Sequence, residues 1–198
     1  GDIKAIAKGI GMDKRVGPAF LESGIGWGGS CFGKDTAALV STARDYNLSM
    51  PIITAGREVN YAQRAWVVDM LQDNLKILKG KRVALLGFSF KPDTDDLRDA
   101  PSLDIARLLL QRGASVRAHD PVALDNARRL YGDLGVQYCQ SVKEAVEGVD
   151  AIVLVTSWPE YRQLDWAELP KVLVLDGRNY LDRERLSEMG FRVIGVGR

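Results

Sequence analysis

Hydrophobic positions divide the 198 residues into two regimes. Up to about residue 80 they recur at helical spacing. Residues 2–10 read as a short helix ended by Gly9 and Gly11. In 36–48, Ala38, Leu39, Thr42, Ala43 and Tyr46 share a face and predict a second helix. Pro51 suits the first turn of a third. Val59, Ala62, Ala65, Trp66, Met70 and Leu75 form an apolar stripe that predicts one long helix over 52–78. Gly80 closes it, and Lys76 and Lys79 suit its negative end. Between the first two helices, 11–35 reads as a loop with glycines at 11, 17, 24, 26, 28, 29 and 33.

From Lys81 onward short β-rich runs alternate with helical stretches. The runs are Val83–Leu86, Val116–Ala118, Val136–Tyr138, Ile152–Val155, Val172–Leu175 and Val193–Val196. The helical stretches are Ser102–Gln111, Ala123–Tyr131, Ser141–Glu147 and Arg183–Met189. Several runs are apolar throughout, as in strands buried on both faces. This alternation predicts an α/β class fold with a Rossmann-like parallel sheet. The chain divides into a helical segment, 1–80, with a long central helix, and an α/β domain, 81–198.

Composition narrows the classes of function. Lys and Arg total 27 and Asp and Glu 26, a net charge of +1. Residues 1–80 carry 10 basic and 8 acidic residues, and the remainder 17 and 18. Neither half has the basic excess of a duplex-binding protein, so no nucleic-acid partner is expected. No apolar run approaches the ~20 residues that cross a bilayer, so no membrane partner is expected either. The N-terminus has neither the basic head nor the apolar core of a signal peptide. Two cysteines without a secretory signal suggest a reduced, cytoplasmic setting.

The chemistry concentrates in residues 24–35, GIGWGGSCFGKD. Glycine permits positive φ and close approach of another molecule to the backbone. Such a stretch can present several N–H groups to a phosphate or an oxyanion. Cys31 lies just before a predicted helix, with Lys34 and Asp35 one turn on. A cation and a helix N-terminus both favour thiolate, a strong nucleophile towards carbonyl carbon. A carboxylate nearby can act as base for a water. The same cysteine could equally be a small buried hydrophobe in a tight turn.

Three longer strings carry a resemblance. RVGPAFL followed by GIGWGGSCFGKDTAAL (15–39) is similar to the catalytic segment of the nucleotide-sugar 6-dehydrogenases. The string GFSFKPDTDDLRDAPSLDIARLLLQRGASVRAHDP (87–121) resembles that family's C-terminal UDP-binding domain, and LDGRNYL (175–181) its late DGR element. The resemblance covers essentially the whole chain and begins late in the family's central region. It implies that the N-terminal NAD-binding domain lies outside this chain, which would then bind a UDP-sugar but not turn it over alone.

The family oxidises C6 of the sugar twice with NAD, through a thioester. The resemblance implies that Cys31 is the nucleophile, Asp35 the acid that handles the water, and Lys34 a neighbour on the nicotinamide side. Arg15 matches an arginine that reaches the sugar nucleotide, often across a dimer interface. Phe20, Leu21, Gly24, Trp27 and Gly28 match the loop that lines the substrate. Trp27 stands where the family usually has Phe or Tyr. Glu22 stands where some members carry a cation. Phe90, Lys91 and Arg178 match UDP contacts, and Arg98 a contact to NAD. The resemblance further implies a homodimer through helix 52–78. The elements LGFSFKP and DGR favour UDP-glucose as substrate, while GDP-mannose oxidation, with the same GGSC-x-x-KD segment, is the alternative. A non-catalytic binding and dimerisation module is the reading from another class.

Other features point elsewhere or nowhere. Gly87-Phe88-Ser89-Phe90 follows the first strand of the α/β domain, but Ser89 and Pro92 replace the second and third glycines of a dinucleotide fingerprint. Residues 81–198 are therefore not expected to be an NAD domain. His119 is the only histidine and reads as structural. Asp120 could mimic a ribose-binding acid. Cys139 reads as a buried strand cysteine. Without a Cys/His cluster, no metal site is expected.

Overall fold

The computed structural model describes all 198 residues. Six strands form one sheet: β1 Arg82–Leu86, β2 Ser115–His119, β3 Val136–Tyr138, β4 Ala151–Leu154, β5 Leu173–Asp176 and β6 Arg192–Gly195. They lie in the order β3-β2-β1-β4-β5-β6, and every neighbouring pair is parallel. The order reverses between β1 and β4, which opens a crevice at their carboxyl ends.

Parallel pairing needs a crossover after each strand. Helices α4 Pro101–Gln111, α5 Leu124–Tyr131, α6 Val142–Val146, α7 Pro159–Gln163 and α8 Arg183–Glu188 supply these crossovers. The central strands show why their sequences lack polar alternation. Val83 and Leu85 of β1 and Val153 of β4 join one core, while Ala84, Leu86, Ile152 and Leu154 join the other. Side chains alternate between faces, and both faces are covered. Each fully buried leucine or isoleucine contributes about 2 kcal/mol.

Three helices precede the sheet: α1 Ile3–Gly11, α2 Phe32–Asp45 and α3 Pro51–Leu75. Val67, Val68 and Leu71 of α3 belong to the same core as β1 and α4. Helix α1 buries none of its residues. It is tied to the other end of the chain, where the Ile3 amide donates to the Gly197 carbonyl at 3.1 Å and Arg198 pairs with Asp2 at 3.0 Å.

The α/β class and all six strands agree with the hydrophobic pattern, with ends shifted by a residue or so. Four details differ. The long helix ends at Leu75, not 78, because Lys76 adopts a left-handed φ of 68° and breaks the ladder. Its buried face carries Asn60, Arg64, Val67, Val68 and Leu71, whereas Val59 of the expected stripe is 59% exposed. Helix α2 begins at Phe32, so Lys34 and Asp35 sit in its first turn rather than in a loop. Helix α7, opened by Pro159 just after Trp158, was not legible in so short and polar a stretch.

No helix is long and apolar enough to cross a membrane.

Candidate functional site

The carboxyl ends of β1, β4 and β5 border a cavity of about 400 Å³. Phe90, Lys91 and Pro92 come from the loop after β1, Thr156 and Ser157 from the loop after β4, and Arg178 and Tyr180 from the loop after β5. Glu22 and Ser23 close it from the N-terminal loop. The adjacent Phe90 and Lys91 and the sequence-distant Arg178 thus line one cavity. The Lys91 ammonium lies 5.5 Å from the centre of the Phe90 ring. A second cavity of about 350 Å³ adjoins it through Glu22, Ser23 and Arg178, and Leu21 lines that one.

Arg178 is held rigidly. Its Nε donates to the Val155 carbonyl at 2.7 Å and Nη1 to the Gly26 carbonyl at 3.1 Å. Burial pushes its guanidinium down to about 10, and Asp176 offsets part of that cost. A cation preset in this way loses little freedom when it meets an anion. Beside it, Asn179 takes a φ of 50° and donates to the Ser23 hydroxyl at 2.7 Å and the Val196 carbonyl at 2.8 Å.

The glycines between 24 and 33 are needed for contacts within the chain. A Cβ on Gly24 would lie 2.9 Å from Arg178 Nη1, and one on Gly28 2.5 Å from the Asp99 carbonyl oxygen. One on Gly29 would lie 2.8 Å from the Phe90 ring. The expected display of free N–H groups is correspondingly reduced. The Ile25 amide donates to the Gly177 carbonyl at 3.1 Å, that of Trp27 to Asn60 Oδ1 at 2.6 Å, and that of Gly29 to the Arg98 carbonyl at 2.8 Å. Close approach is real here, but the approaching molecule is the rest of this chain.

This packing sets Cys31 at the N-cap of α2, exposed to solvent. Its carbonyl accepts from the Asp35 amide at 2.8 Å, and its sulfur lies 3.6 Å from the Ser30 hydroxyl. The tight-turn, buried alternative therefore does not hold. Lys34 pairs with Asp35 at 2.7 Å, both largely exposed. Asp35, with a smaller contribution from Cys31, holds the Lys34 ammonium above its ordinary value. Arg98 grips Asp96 through Nε and Nη2, at 3.0 and 2.7 Å. That contact raises the Arg98 guanidinium, and Cys31 adds to the effect. The thiol thus lies within electrostatic reach of two exposed cations.

Beneath the loop, Arg64 of α3 is buried and links three segments. It donates to Asp99 Oδ1 at 2.8 Å, to the Trp27 carbonyl at 3.0 Å, and to Asp104. Neither Arg64 nor Asn60 was singled out from sequence. Their spacing of four on a long helix was the available signal, since it places two polar groups on one face.

Three expected substrate contacts stand apart from the cavity. Arg15 is exposed and paired with Asp13, two residues away, at 2.5 Å. Phe20 has a φ of 61° and is 99% exposed. Trp27 does not present a flat ring to the cavity. It packs edge-on against Phe32, centroids 4.9 Å apart, with its indole N–H buried and unpartnered.

The loop after β1 tests whether this α/β unit fits a dinucleotide. Asp120, 1% exposed, turns inward and accepts from the amides of Phe88 at 2.7 Å and Ser89 at 2.9 Å. It also accepts from Trp158 Nε1 at 3.1 Å. The amides that would face a pyrophosphate are spent on an internal anion, and the unit does not fit NAD in that place. The ribose-binding role considered for Asp120 is excluded by the same contacts. His119 is buried with Nδ1 3.0 Å from the Tyr161 hydroxyl, and Cys139 is fully buried, its thiol pushed up to about 11. No group of three or more His, Cys, Asp or Glu could hold a metal ion.

Two family models match the chain. Residues 1–62 match the central domain of the UDP-glucose/GDP-mannose dehydrogenase family, and residues 84–183 its UDP-binding domain. The chain is 39% identical to the UDP-glucose 6-dehydrogenase TuaD of Bacillus subtilis, over 100% of this chain and 43% of that protein. It is 40% identical to a UDP-glucose 6-dehydrogenase of Pseudomonas aeruginosa, over 100% of this chain and 46% of that protein. Among solved structures, a UDP-glucose dehydrogenase from Pyrobaculum islandicum superposes with a TM-score of 0.87 at 38% identity, covering 93% of this chain and 42% of that one. A GDP-mannose dehydrogenase from Pseudomonas aeruginosa, at 21% identity and a TM-score of 0.76, shares the fold; 97% of this chain and 45% of that one are covered. The chain spans less than half the length of these relatives. With models of two successive family domains matched to the helical segment and to the sheet, the chain belongs to the UDP-glucose/GDP-mannose dehydrogenase family.

Proposed function

We propose that this chain is the sulfur-bearing, nucleotide-gripping part of a cytoplasmic, NAD-dependent nucleotide-sugar 6-dehydrogenase that converts UDP-glucose to UDP-glucuronate. One observation carries this reading. Phe90 lines the cavity at the sheet's switch point and also seats Gly28 and Gly29, so the cavity and the Cys31 loop form one packed unit. Residues 1–80 supply the sulfur and the dimer contact, and residues 81–198 the nucleotide grip.

In this mechanism the diphosphate lies against Lys91 and Arg178, a point charge and a planar fork suited to phosphate oxygens. Phe90 offers its ring to the base. Gripping the nucleotide brings C6 of the sugar to Cys31 without a separate entropic cost at the chemical step. NAD, when bound, accepts one hydride at each of the two oxidations. Lys34 and Arg98, exposed beside the sulfur, suit a dinucleotide presented from outside the α/β unit.

Cys31 acts after the first oxidation. Its thiolate adds to the aldehyde carbon, a C–S bond forms, and the aldehyde oxygen takes a proton. The thiohemiacetal then loses a hydride from that carbon and a proton from its hydroxyl, which leaves a thioester. Water adds to the thioester while Asp35 accepts its proton. The C–S bond breaks, the sulfur leaves as thiolate, and the carboxylate is released.

In the full-length enzyme, Cys31→Ser is expected to abolish UDP-glucuronate formation; unchanged formation refutes the assignment. Calorimetry on this chain is expected to find UDP-glucose bound more tightly than UDP-N-acetylmannosamine or GDP-mannose. A preference for GDP-mannose moves the reading to that alternative. The chain alone is expected to form no NADH.

A homodimer through α3 and its surroundings completes the proposal. Ile52 and Val59 of α3, seven residues apart and so on one face, are 87% and 59% exposed, and Leu48 just before α3 is 65% exposed; a second copy packed on this face would cover them. Light scattering at micromolar concentration is expected to give a dimer mass; a monomer mass overturns this part.

A further inference from the structure

We infer that Arg64 and Asp99 form a positioning latch that holds the backbone segment carrying Arg98, whose guanidinium Asp96 grips, in register with Cys31. The latch rests on the reading of Cys31 as nucleophile and Arg98 as dinucleotide contact, and adds two positioning residues to it.

Arg64 is 2% exposed and reaches three segments at once. From α3 its Nη1 meets Asp99 Oδ1 at 2.8 Å, and its Nη2 meets the Trp27 carbonyl at 3.0 Å and the Asp99 carbonyl at 3.3 Å. The guanidinium also lies 4.6 Å from the centre of the Tyr61 ring, and the Tyr61 hydroxyl donates to Asp99 Oδ2 at 3.4 Å. A planar fork can serve two loops in this way, whereas an ammonium cannot. An apolar side chain of similar volume would hold the helix equally well, often better. The buried charge is spent instead on the Trp27 loop, the Asp99 loop and Asp104 at the start of α4.

Asp99 transmits the constraint. Its φ of 50° is left-handed, a conformation that aspartate adopts more readily than most side chains, and it turns the chain so that its carboxylate meets Arg64. The preceding residue is Arg98, whose carbonyl accepts from the Gly29 amide at 2.8 Å, two residues before Cys31. A Cβ on Gly33, two residues after Cys31, would lie 3.1 Å from Asp99 Oδ2. The cysteine is therefore bracketed on both sides by the segment that Arg64 fixes.

The test uses the full-length protein and reads alkylation at Cys31 by mass spectrometry with two probes, anionic iodoacetate and neutral iodoacetamide. Cys31 is exposed and Cys139 fully buried, so the two signals separate. A nearby cation raises the iodoacetate rate relative to the iodoacetamide rate. Arg98→Met is expected to lower that ratio about fivefold. Asp99→Asn removes an anion, which by itself would raise the ratio, so a fall in this variant reads the lost latch, and a fall is expected. Asparagine tolerates left-handed φ as well as aspartate does, so this variant removes charge and not backbone conformation. Arg64→Lys is expected to do the same, and the Arg98→Met/Asp99→Asn double variant to fall no further than Arg98→Met alone.

A ratio unchanged or raised in Asp99→Asn overturns the latch, even if the melting temperature drops, because without the latch only the lost negative charge acts on the ratio. A ratio unchanged in Arg98→Met overturns it as well. Where Arg64→Lys does not fold, Asp99→Asn decides. Failure of the underlying function is seen separately, as an inactive wild-type enzyme whose ratio still responds to Asp99→Asn.

Discussion

The amide of Gly29 donates to the carbonyl of Arg98 at 2.8 Å, and the ring of Phe90 lies where a Gly29 side chain would begin. A residue of the cysteine loop thus touches both a cation-bearing segment and a wall of the cavity.

Gly29→Ala is therefore expected to strain this junction twice, through its φ of 90° and through the Phe90 ring 2.8 Å from the new carbon. A loss of about 2–3 kcal/mol follows. Urea denaturation of the variant against wild type measures it, and an unchanged midpoint would mean the loop is looser than it stands here.

Lys91 is exposed and bears no structural ion pair, so Lys91→Met should leave the melting temperature unchanged. UDP-glucose binding by calorimetry should weaken about tenfold, the cost of one charge-assisted phosphate contact. Its affinity should also depend less on salt than that of wild type.

Asp120→Ala removes the acceptor of the Phe88 and Ser89 amides and of the Trp158 indole, all in the interior. Leaving such donors unpaired costs about 3 kcal/mol or more. Chemical denaturation should show it, and added NAD should not restore stability, because the site is internal.

His119 supplies a pH dependence. Burial lowers its pKa from 6.5 in the folded state. The unfolded chain then binds the extra proton first, so stability is full above 6.5 and is lost as pH falls through the folded value. The limiting slope is about 1.4 kcal/mol per pH unit. Glu160, 3.8 Å away, has its pKa raised by burial, which acts in the opposite sense just above its ordinary 4.5. Comparing urea midpoints of wild type and His119→Gln at several pH values between 5 and 7 isolates the histidine. Equal losses in both proteins would exclude it as the source.

Much of this molecule could be read from local pattern. Runs such as Val83–Leu86 and Ile152–Val155 are apolar throughout, because both faces of a parallel sheet are covered, and that periodicity is written residue by residue. The helix over 52–78 was equally visible, although its end was not, since a lysine rather than a glycine takes the left-handed turn at 76. The string around Cys31 marked it as a candidate nucleophile, because Lys34 and Asp35 stand one turn on in a glycine-rich stretch.

Tertiary contacts decided the rest. Arg64 and Asn60 look like ordinary polar residues on a helix until the glycine loop folds over them. Asp120 follows a strand where a ribose-binding acid could stand, and only the inward turn of its carboxylate gives it another role. The glycines of 24–33 signalled a close approach without saying to what; the partner turned out to be Phe90, Asp99 and Arg178, residues distant in the chain. Periodicity reports how one segment meets an interface between core and solvent, which is a local property. Which donor meets which acceptor depends on the superposition of segments remote in sequence, and no single segment encodes that.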